Sequence, residues 1–321
     1  MGLYYSSSWK PPESENATSK SENNVQETDP FEKAILAPVK VLYIPTRDYE
    51  KVKSNLIHMQ DNGDFKKFDK YSNCMFEKYR TSGNFDILAA VINEKAQCAI
   101  YRNDLREARY YVNKGHQLAE HTRCPPVFHA QAFLVMSNIS RYESKLGSTK
   151  NNLDKAKQCF ALAYSTEDLA HHYELYGSYL DKFLGIYPKE SEKAKKLAVN
   201  NFNKMNEIGS QDSEPRVSDK KRVYAMIRIA RIRLDSNSQL GREKRKVTDD
   251  DIHQATECVE VIKRERLLEN MPRGTKIQFQ MVVSDLCYRK EEFEDAILLL
   301  KKCRDQAKQF GYETEGPKIT Q

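Results

Sequence analysis

The sequence predicts an all-α protein of about six helix-turn-helix pairs stacked as a repeat array. Five times, an apolar residue is followed at steps of three, four and three by small or apolar residues, as in Phe293, Ala296, Leu300 and Cys303, and a sixth, weaker set begins at Ser191. Such steps keep all four positions on one helix face, and an Ala among larger side chains lets a second helix approach closely. The other sets begin at Phe65, Leu105, Leu153, Ser191 and Ile252.

The elements follow in order between turn signals. Residues 1–30 are rich in Ser, Asn and Glu without a sustained period, which predicts a disordered tail. The repeat domain is predicted over residues 31–310, with helices from about Arg47, and residues 311–321 as a C-terminal tail. Turns are predicted at Asn62-Gly63-Asp64, Ser82-Gly83-Asn84, Pro125-Pro126, Gly147 to Asn151, Pro188, Gly209 to Pro215, Gly241, and Pro272 to Gly274.

One helix start has a clear capping signal. Thr248 is followed by Asp249, Asp250 and Asp251, after an insertion that begins at Ser236. A Thr hydroxyl and first-turn carboxylates satisfy free backbone N–H groups and complement the helix dipole. We therefore interpret the acidic triplet as a helix cap rather than a metal site.

The repeated spacing resembles that of the tetratricopeptide repeat (TPR) family, roughly from Asp48 to Phe310. In the last unit, Val283, Ser284 and Cys287 and then the set beginning at Phe293 fall where that family has its recurring apolar and small residues. The small-residue anchors at 68, 108, 156, 194, 255 and 296 lie farther apart than the family's period of about 34 residues. The resemblance implies a divergent, long-period member with a right-handed solenoid and a concave groove that binds peptides.

The candidate binding groove comes from one basic helix. Residues 216–246 contain eleven Lys or Arg and three Asp or Glu, whereas the whole chain carries a net charge of +6. On a helical wheel, the stripe lies between two apolar flanks, one with Val223, Ile227 and Ala230 and the other with Ala225, Ile229 and Ile232. Its members are Lys220, Lys221, Tyr224, Arg228 and Arg231.

This stripe has three interpretations. Facing the concave surface, it suits an acidic peptide segment of a partner protein. A second function class is a basic face that binds phosphate-rich ligands, either RNA or anionic lipid. The third interpretation is a solvated helix face without a ligand.

The first residues, Met1-Gly2-Leu3-Tyr4-Tyr5-Ser6, match the N-myristoylation pattern, which makes Gly2 a candidate lipidation site. One myristoyl chain binds membranes only marginally, and Leu3, Tyr4, Tyr5 and Trp9 would add interfacial contact. The alternative is an unmodified tail.

The remaining signals argue against catalysis, metals and cofactors. No nucleotide-binding, hydrolase or kinase motif occurs, and His116, His121, Cys124 and His129 do not have a zinc spacing. Seven cysteines without a CxxC pair indicate reduced thiols in a cytosolic protein. The sequence therefore predicts a non-enzymatic cytoplasmic adaptor that binds another protein and needs no cofactor, with attachment to a membrane surface through Gly2 as an option.

Overall fold

The computed structural model describes residues 41–186, 191–210, 215–236, 246–269 and 271–309. Within these ranges the chain forms twelve helices and two short strands. The predicted N-terminal tail with Gly2, the boundaries near residues 30 and 310, and the C-terminal tail 311–321 lie outside the described residues.

The helices follow one another as six consecutive pairs. Their bounds are α1 Arg47–Asp61, α2 Phe65–Ser82, α3 Phe85–Tyr101, α4 Leu105–Ala119, α5 Pro125–Tyr142, α6 Leu146–Leu162, α7 Thr166–Ile186, α8 Ser191–Ser210, α9 Pro215–Arg233, α10 Asp249–Arg264, α11 Arg273–Arg289 and α12 Phe293–Gln309. The odd-numbered helices are the first helices of the pairs, and the even-numbered helices are the second.

Local chemistry explains where the helices begin and end. The side chains of Thr46, Asn84 and Asp104 each accept a hydrogen bond from the backbone N–H three residues later, at the starts of α1, α3 and α4. Gly83 ends α2 with φ of 71°, a left-handed conformation that suits glycine. At Thr248 the predicted cap is confirmed, since its hydroxyl accepts from the Asp251 N–H and the Asp251 carboxylate accepts from the Thr248 N–H.

The first helices pack into a continuous layer. Helix α1 contacts α3, α3 contacts α5, α5 contacts α7, α7 contacts α9 and α9 contacts α11. Each also packs against its own second helix. The predicted fold class, an all-α solenoid-like stack of about six helix pairs, is confirmed for the described residues.

The repeated anchor positions lie in the protein core. All six are buried, with exposed fractions between 0% and 5%. Five of them are Ala and the first is Phe, namely Phe68, Ala108, Ala156, Ala194, Ala255 and Ala296. The spacing found in the sequence therefore identifies the buried face of the second helix in each pair.

A small parallel sheet was not predicted. Strand β1, Val41–Leu42, pairs with β2, Ala163–Tyr164, and so attaches the segment before α1 to the third helix pair. Tyr43 fixes this segment further, because its hydroxyl donates a hydrogen bond of 2.8 Å to the buried carboxylate of Asp86 in α3. The Arg123 Nε donates to the same carboxylate at 2.6 Å.

None of the seven cysteines, all in the described ranges, forms a disulfide. Burial raises the pKa of the Cys98 thiol to about 12 and that of Cys258 to about 11, so both thiols stay protonated and unreactive near neutral pH. No helix among the described residues has the length and apolar composition needed to cross a bilayer.

Candidate functional site

Residues from all six first helices line one cavity of about 310 Å³, which we call the inner cavity. Its walls carry amide and aromatic side chains as well as charges. The amides are Gln60, Asn93, Gln97, Gln131, Asn138 and Gln278, and the tyrosines are Tyr49, Tyr101, Tyr142 and Tyr224. Such a lining offers hydrogen-bond donors, acceptors and flat apolar surfaces within one concave space that is partly open to solvent.

A second cavity of about 700 Å³ adjoins the first, and we call it the outer cavity. It lies between the N-terminal part of the fold, including Ile44 and Ile57, and residues of α7, α9 and the segment just before α11. Met205 and Met271 contribute adaptable apolar surface. The two cavities share part of their lining, and together we call them the groove.

Gln131 is the centre of a buried polar network on the groove wall. Its Nε2 donates to the Tyr49 hydroxyl at 3.3 Å and to Asp168 Oδ2 at 2.8 Å, while its Oε1 accepts from Asn93 Nδ2 at 2.9 Å. The Ser165 hydroxyl donates to the same Asp168 oxygen at 2.5 Å. This network joins α1, α3, α5 and the start of α7, so the first helices are fixed relative to one another by oriented polar groups.

Glu94 is a buried carboxyl group, 8% exposed, on the inner cavity. Gln60 Nε2 donates to its Oε2 at 3.1 Å and to its backbone carbonyl at 3.0 Å. Burial raises the pKa of the Glu94 carboxyl to about 7, although the Lys53 charge opposes that shift. The groove therefore contains a group that titrates near neutral pH.

Two ion pairs cross the groove. Lys53 of α1 lies 2.7 Å from Glu167 of α7, and Lys220 of α9 pairs with Asp61 of α1. Burial alone would lower the pKa of Lys53, but Glu167, Tyr49, Asp168 and Glu94 together outweigh burial and raise that pKa well above its usual value. Burial would also lower the pKa of Lys220, and Tyr224 together with Asp61 raises it.

The structure places the predicted stripe on α9 between two hydrophobic clusters, as its helical wheel indicates. Val223, Ile227 and Ala230 join a cluster with α10 and α11, whereas Ala225 and Ile232 join one with α5, α6, α7 and α8. The expectation that neighbours pack on both flanks of the stripe is confirmed.

Three of the five stripe residues meet in the inner cavity, namely Lys220, Tyr224 and Arg228. The Tyr224 hydroxyl accepts from the Thr275 hydroxyl at 2.9 Å, which orients the ring. Lys221 lines only the outer cavity and is 9% exposed. Arg231 lines neither cavity and is 4% exposed, because it lies toward the packed end of α9. Gly2 lies outside the described residues.

Five residues that line the inner cavity were not predicted from the sequence, namely Lys53, Asp61, Glu94, Gln131 and Asp168. One signal could have found some of them, since Asn93-Glu94 and Gln131 interrupt the most apolar stretches of α3 and α5. A polar residue inside an otherwise buried helix needs a partner or a cavity. Lys53 and Asp61 carry no comparable local signal, because their partners lie more than a hundred residues away in sequence.

The histidine cluster has an ordinary hydrogen-bonded arrangement. His116 Nδ1 and His129 Nδ1 are 3.2 Å apart, and His129 Nε2 is 2.9 Å from Glu120 Oε1. Burial and the neighbouring His129 lower the pKa of His116 to about 4. Throughout the described ranges, no group of three or more His, Cys, Asp or Glu side chains is arranged to hold a metal ion.

Comparison with known proteins gives no family assignment. No known family matches the chain, and no curated protein shows significant sequence similarity to it.

Glu94→Gln is expected to make the protein more stable at pH 8 and to change its stability little at pH 5. The folded-state pKa of about 7 is above the usual value of 4.5, so the folded chain binds an extra proton between these values. Stability is therefore highest below pH 4.5 for this group and declines as the pH rises to 7. Urea unfolding of both proteins at several pH values measures the difference. If the free energy of unfolding depends on pH in the same way in both proteins, ionisation of Glu94 does not destabilise the fold.

Proposed function

We propose that the chain is a non-enzymatic scaffold of the TPR type that binds a segment of a partner protein in the groove. The observation that supports this most is the lining of the inner cavity by the first helices of all six pairs. Every repeat thus contributes to one binding surface, as expected of a repeat array whose purpose is recognition. The likeness to the TPR family is part of the proposal, supported by the anchor spacing and the pairwise packing.

The lining favours a polypeptide as the ligand. Buried amides and hydroxyls offer donors and acceptors for peptide groups, and Tyr101, although 44% exposed, lies inside the cavity where a side chain could stack on it. The cations Lys220 and Arg228 would pair with acidic residues of the segment.

The RNA or lipid alternative needs a different surface. A phosphate polymer requires an open array of cations, whereas Lys220, Lys221 and Arg231 lie in the groove or in the core.

A tethering role for the N-terminus completes the proposal. We infer that the scaffold acts in the cytoplasm and reaches a membrane surface through a myristoyl group on Gly2. An intact-mass measurement of the protein expressed in its host, beside Gly2→Ala, tests this part. Absence of the acyl group would leave a scaffold without a lipid anchor.

The binding function is tested by selecting random dodecapeptides on the full-length protein. Gln97 lines the inner cavity, so Gln97→Trp should fill it and weaken the selected peptides by about tenfold or more. Asn151 is exposed on α6 and lines neither cavity, which makes Asn151→Trp the matched control. Affinities come from fluorescence anisotropy, with circular dichroism to verify folding. Peptides that bind Gln97→Trp as tightly as wild type would place recognition outside the groove.

A stripe residue can be tested in the same assay. Arg228→Glu should abolish binding of acidic peptides while keeping helicity, since Arg228 lines the cavity. Arg231 is unsuitable for such a test because a buried Glu would destabilise the fold.

A further inference from the structure

The two cavities of the groove are separated by side chains that line both of them. These shared residues include Lys53 and Glu167, and also Lys220 and Asp61. A side chain that lines two adjoining cavities lies at their boundary. Both ion pairs therefore stand between the inner and the outer cavity.

The same ion pairs connect helices that are distant in the stack. Helix α1 packs against α2 and α3, whereas α7 and α9 pack mainly against the middle and later helices. Lys53–Glu167 spans 114 residues of sequence, and Lys220–Asp61 spans 159. The opposite walls of the groove are thus held together by side chains, in addition to the packing along the stack.

In each ion pair, the carboxylate is already bound to a lysine that would otherwise be available to a bound segment. The Lys53 side chain is 13% exposed and that of Lys220 is 28% exposed, with Asp61 at 18%. A second carboxylate brought to the same partly buried ammonium would be repelled by the carboxylate that is already in contact with it. Asp61 and Glu167 are therefore in the positions where acidic side chains of a ligand would bind.

We propose that Lys220–Asp61 and Lys53–Glu167 form an autoinhibitory strap across the groove, which carboxylates of a bound partner segment displace. The proposal rests on the function proposed above and adds its regulation. A segment with well-placed Asp or Glu residues replaces Asp61 and Glu167 and joins the two cavities into one. A segment without them leaves the strap closed and has access to one cavity at a time. The strap thus selects for acidic partners.

The first experiment needs no ligand. Hydrogen–deuterium exchange is measured on the full-length Asp61→Asn and Glu167→Gln double variant. Without the strap, exchange should become faster in the C-terminal half of α1 than in wild type. Asp64→Asn is the matched control, because Asp64 is exposed near the same helix end and lines neither cavity. Unchanged exchange in α1 would overturn the strap.

The second experiment uses acidic dodecapeptides selected on the wild-type protein. Asp61→Asn should raise their affinity by about fivefold, because Lys220 can then pair with a carboxylate of the peptide instead of with Asp61. Adding Lys220→Met should remove the gain, and Asp64→Asn should have no effect. A loss of affinity in Asp61→Asn would show that the pair supports the groove rather than inhibits it, and would overturn the proposal.

The two proposals fail in different ways. If wild type selects no peptide, the selection is repeated on the double variant, where recovery of acidic peptides would support the strap strongly. If neither protein selects a peptide, the binding function is wrong. The exchange measurement then decides alone whether the ion pairs hold the groove walls together.

Discussion

Asp251→Ala is expected to destabilise the protein by about 3–5 kcal/mol, the usual cost of removing one member of a buried ion pair. Asp251 is 1% exposed, and its carboxylate lies 2.5 Å from Lys195 of α8 and 3.1 Å from Arg233 of α9. It also accepts from the Thr248 backbone at the start of α10. The substitution leaves the buried Lys195 ammonium without this counterion and removes the half of the α10 capping box that the Asp251 carboxylate supplies. Urea or guanidinium unfolding measures the change.

The matched variant is Asp250→Ala, in the same first turn but exposed to solvent. It should cost less than about 1 kcal/mol, as for ordinary surface positions. Similar losses in both variants would show that the acidic turn acts only through the helix dipole.

The pH dependence gives a second measure of Asp251. Burial alone would raise its pKa, but hydrogen bonds from Lys195, Thr248 and Arg233 lower it to about 2. For a depressed pKa, the stabilisation is complete above the usual value of 3.8 and is lost as the pH falls toward 2. The Ala variant should lack this part of the acid sensitivity.

The fold was largely predictable, because helix pairing depends on local spacing. The steps of three and four placed Ala156 and Ala296 on buried helix faces, and the wheel of α9 assigned its apolar flanks to two neighbours. The Thr248 cap could also be read from adjacent residues. Such features involve residues within a few helical turns of one another.

One turn prediction was wrong for a local reason. Residues 147–151 contain Gly, Ser and Asn, which are typical of loops, yet α6 begins at Leu146. Leu153, Ala156 and Phe160 are buried on its apolar face, and that packing outweighs the weak helix propensity of the first turn. Helix propensity alone could not have located this boundary.

The groove was less predictable, since it depends on how the whole stack curves. Lys220 was predicted to be available on a cationic stripe, but its carboxylate partner Asp61 belongs to the first helix pair. Arg231 lies on the same helical arc in the sequence and is nevertheless buried. A helical wheel describes the neighbours of one helix, whereas ion pairs across the groove require the relative positions of helices from three pairs.

Gly177→Val is expected to destabilise the protein by about 3 kcal/mol, near the upper end of the usual cost of overpacking. Gly177 lies in α7, where an added Cβ would be 2.7 Å from Cζ and 2.8 Å from Cε2 of the Phe202 ring in α8. Phe202 is 0% exposed within the central hydrophobic cluster, so its ring has no space into which it can move. Chemical unfolding, with the Phe202→Leu second-site change as a partial rescue, measures the effect.

Gly147→Val is the control that separates crowding from helix propensity. Gly147 also lies in a helix, α6, and an added Cβ there has nothing within 4 Å. Valine forms helix slightly better than glycine, so this variant should change stability by less than about 0.5 kcal/mol. No loss at Gly177 would mean that α7 and α8 are not packed as closely as the structure has them. A large loss at Gly147 would show that valine destabilises these helices without crowding. The Gly177–Phe202 contact sets the spacing of the fourth pair, whose first helix carries Glu167 and Asp168 into the groove. Crowding there should therefore weaken peptide binding as well as stability, whereas Gly147→Val should leave both unchanged.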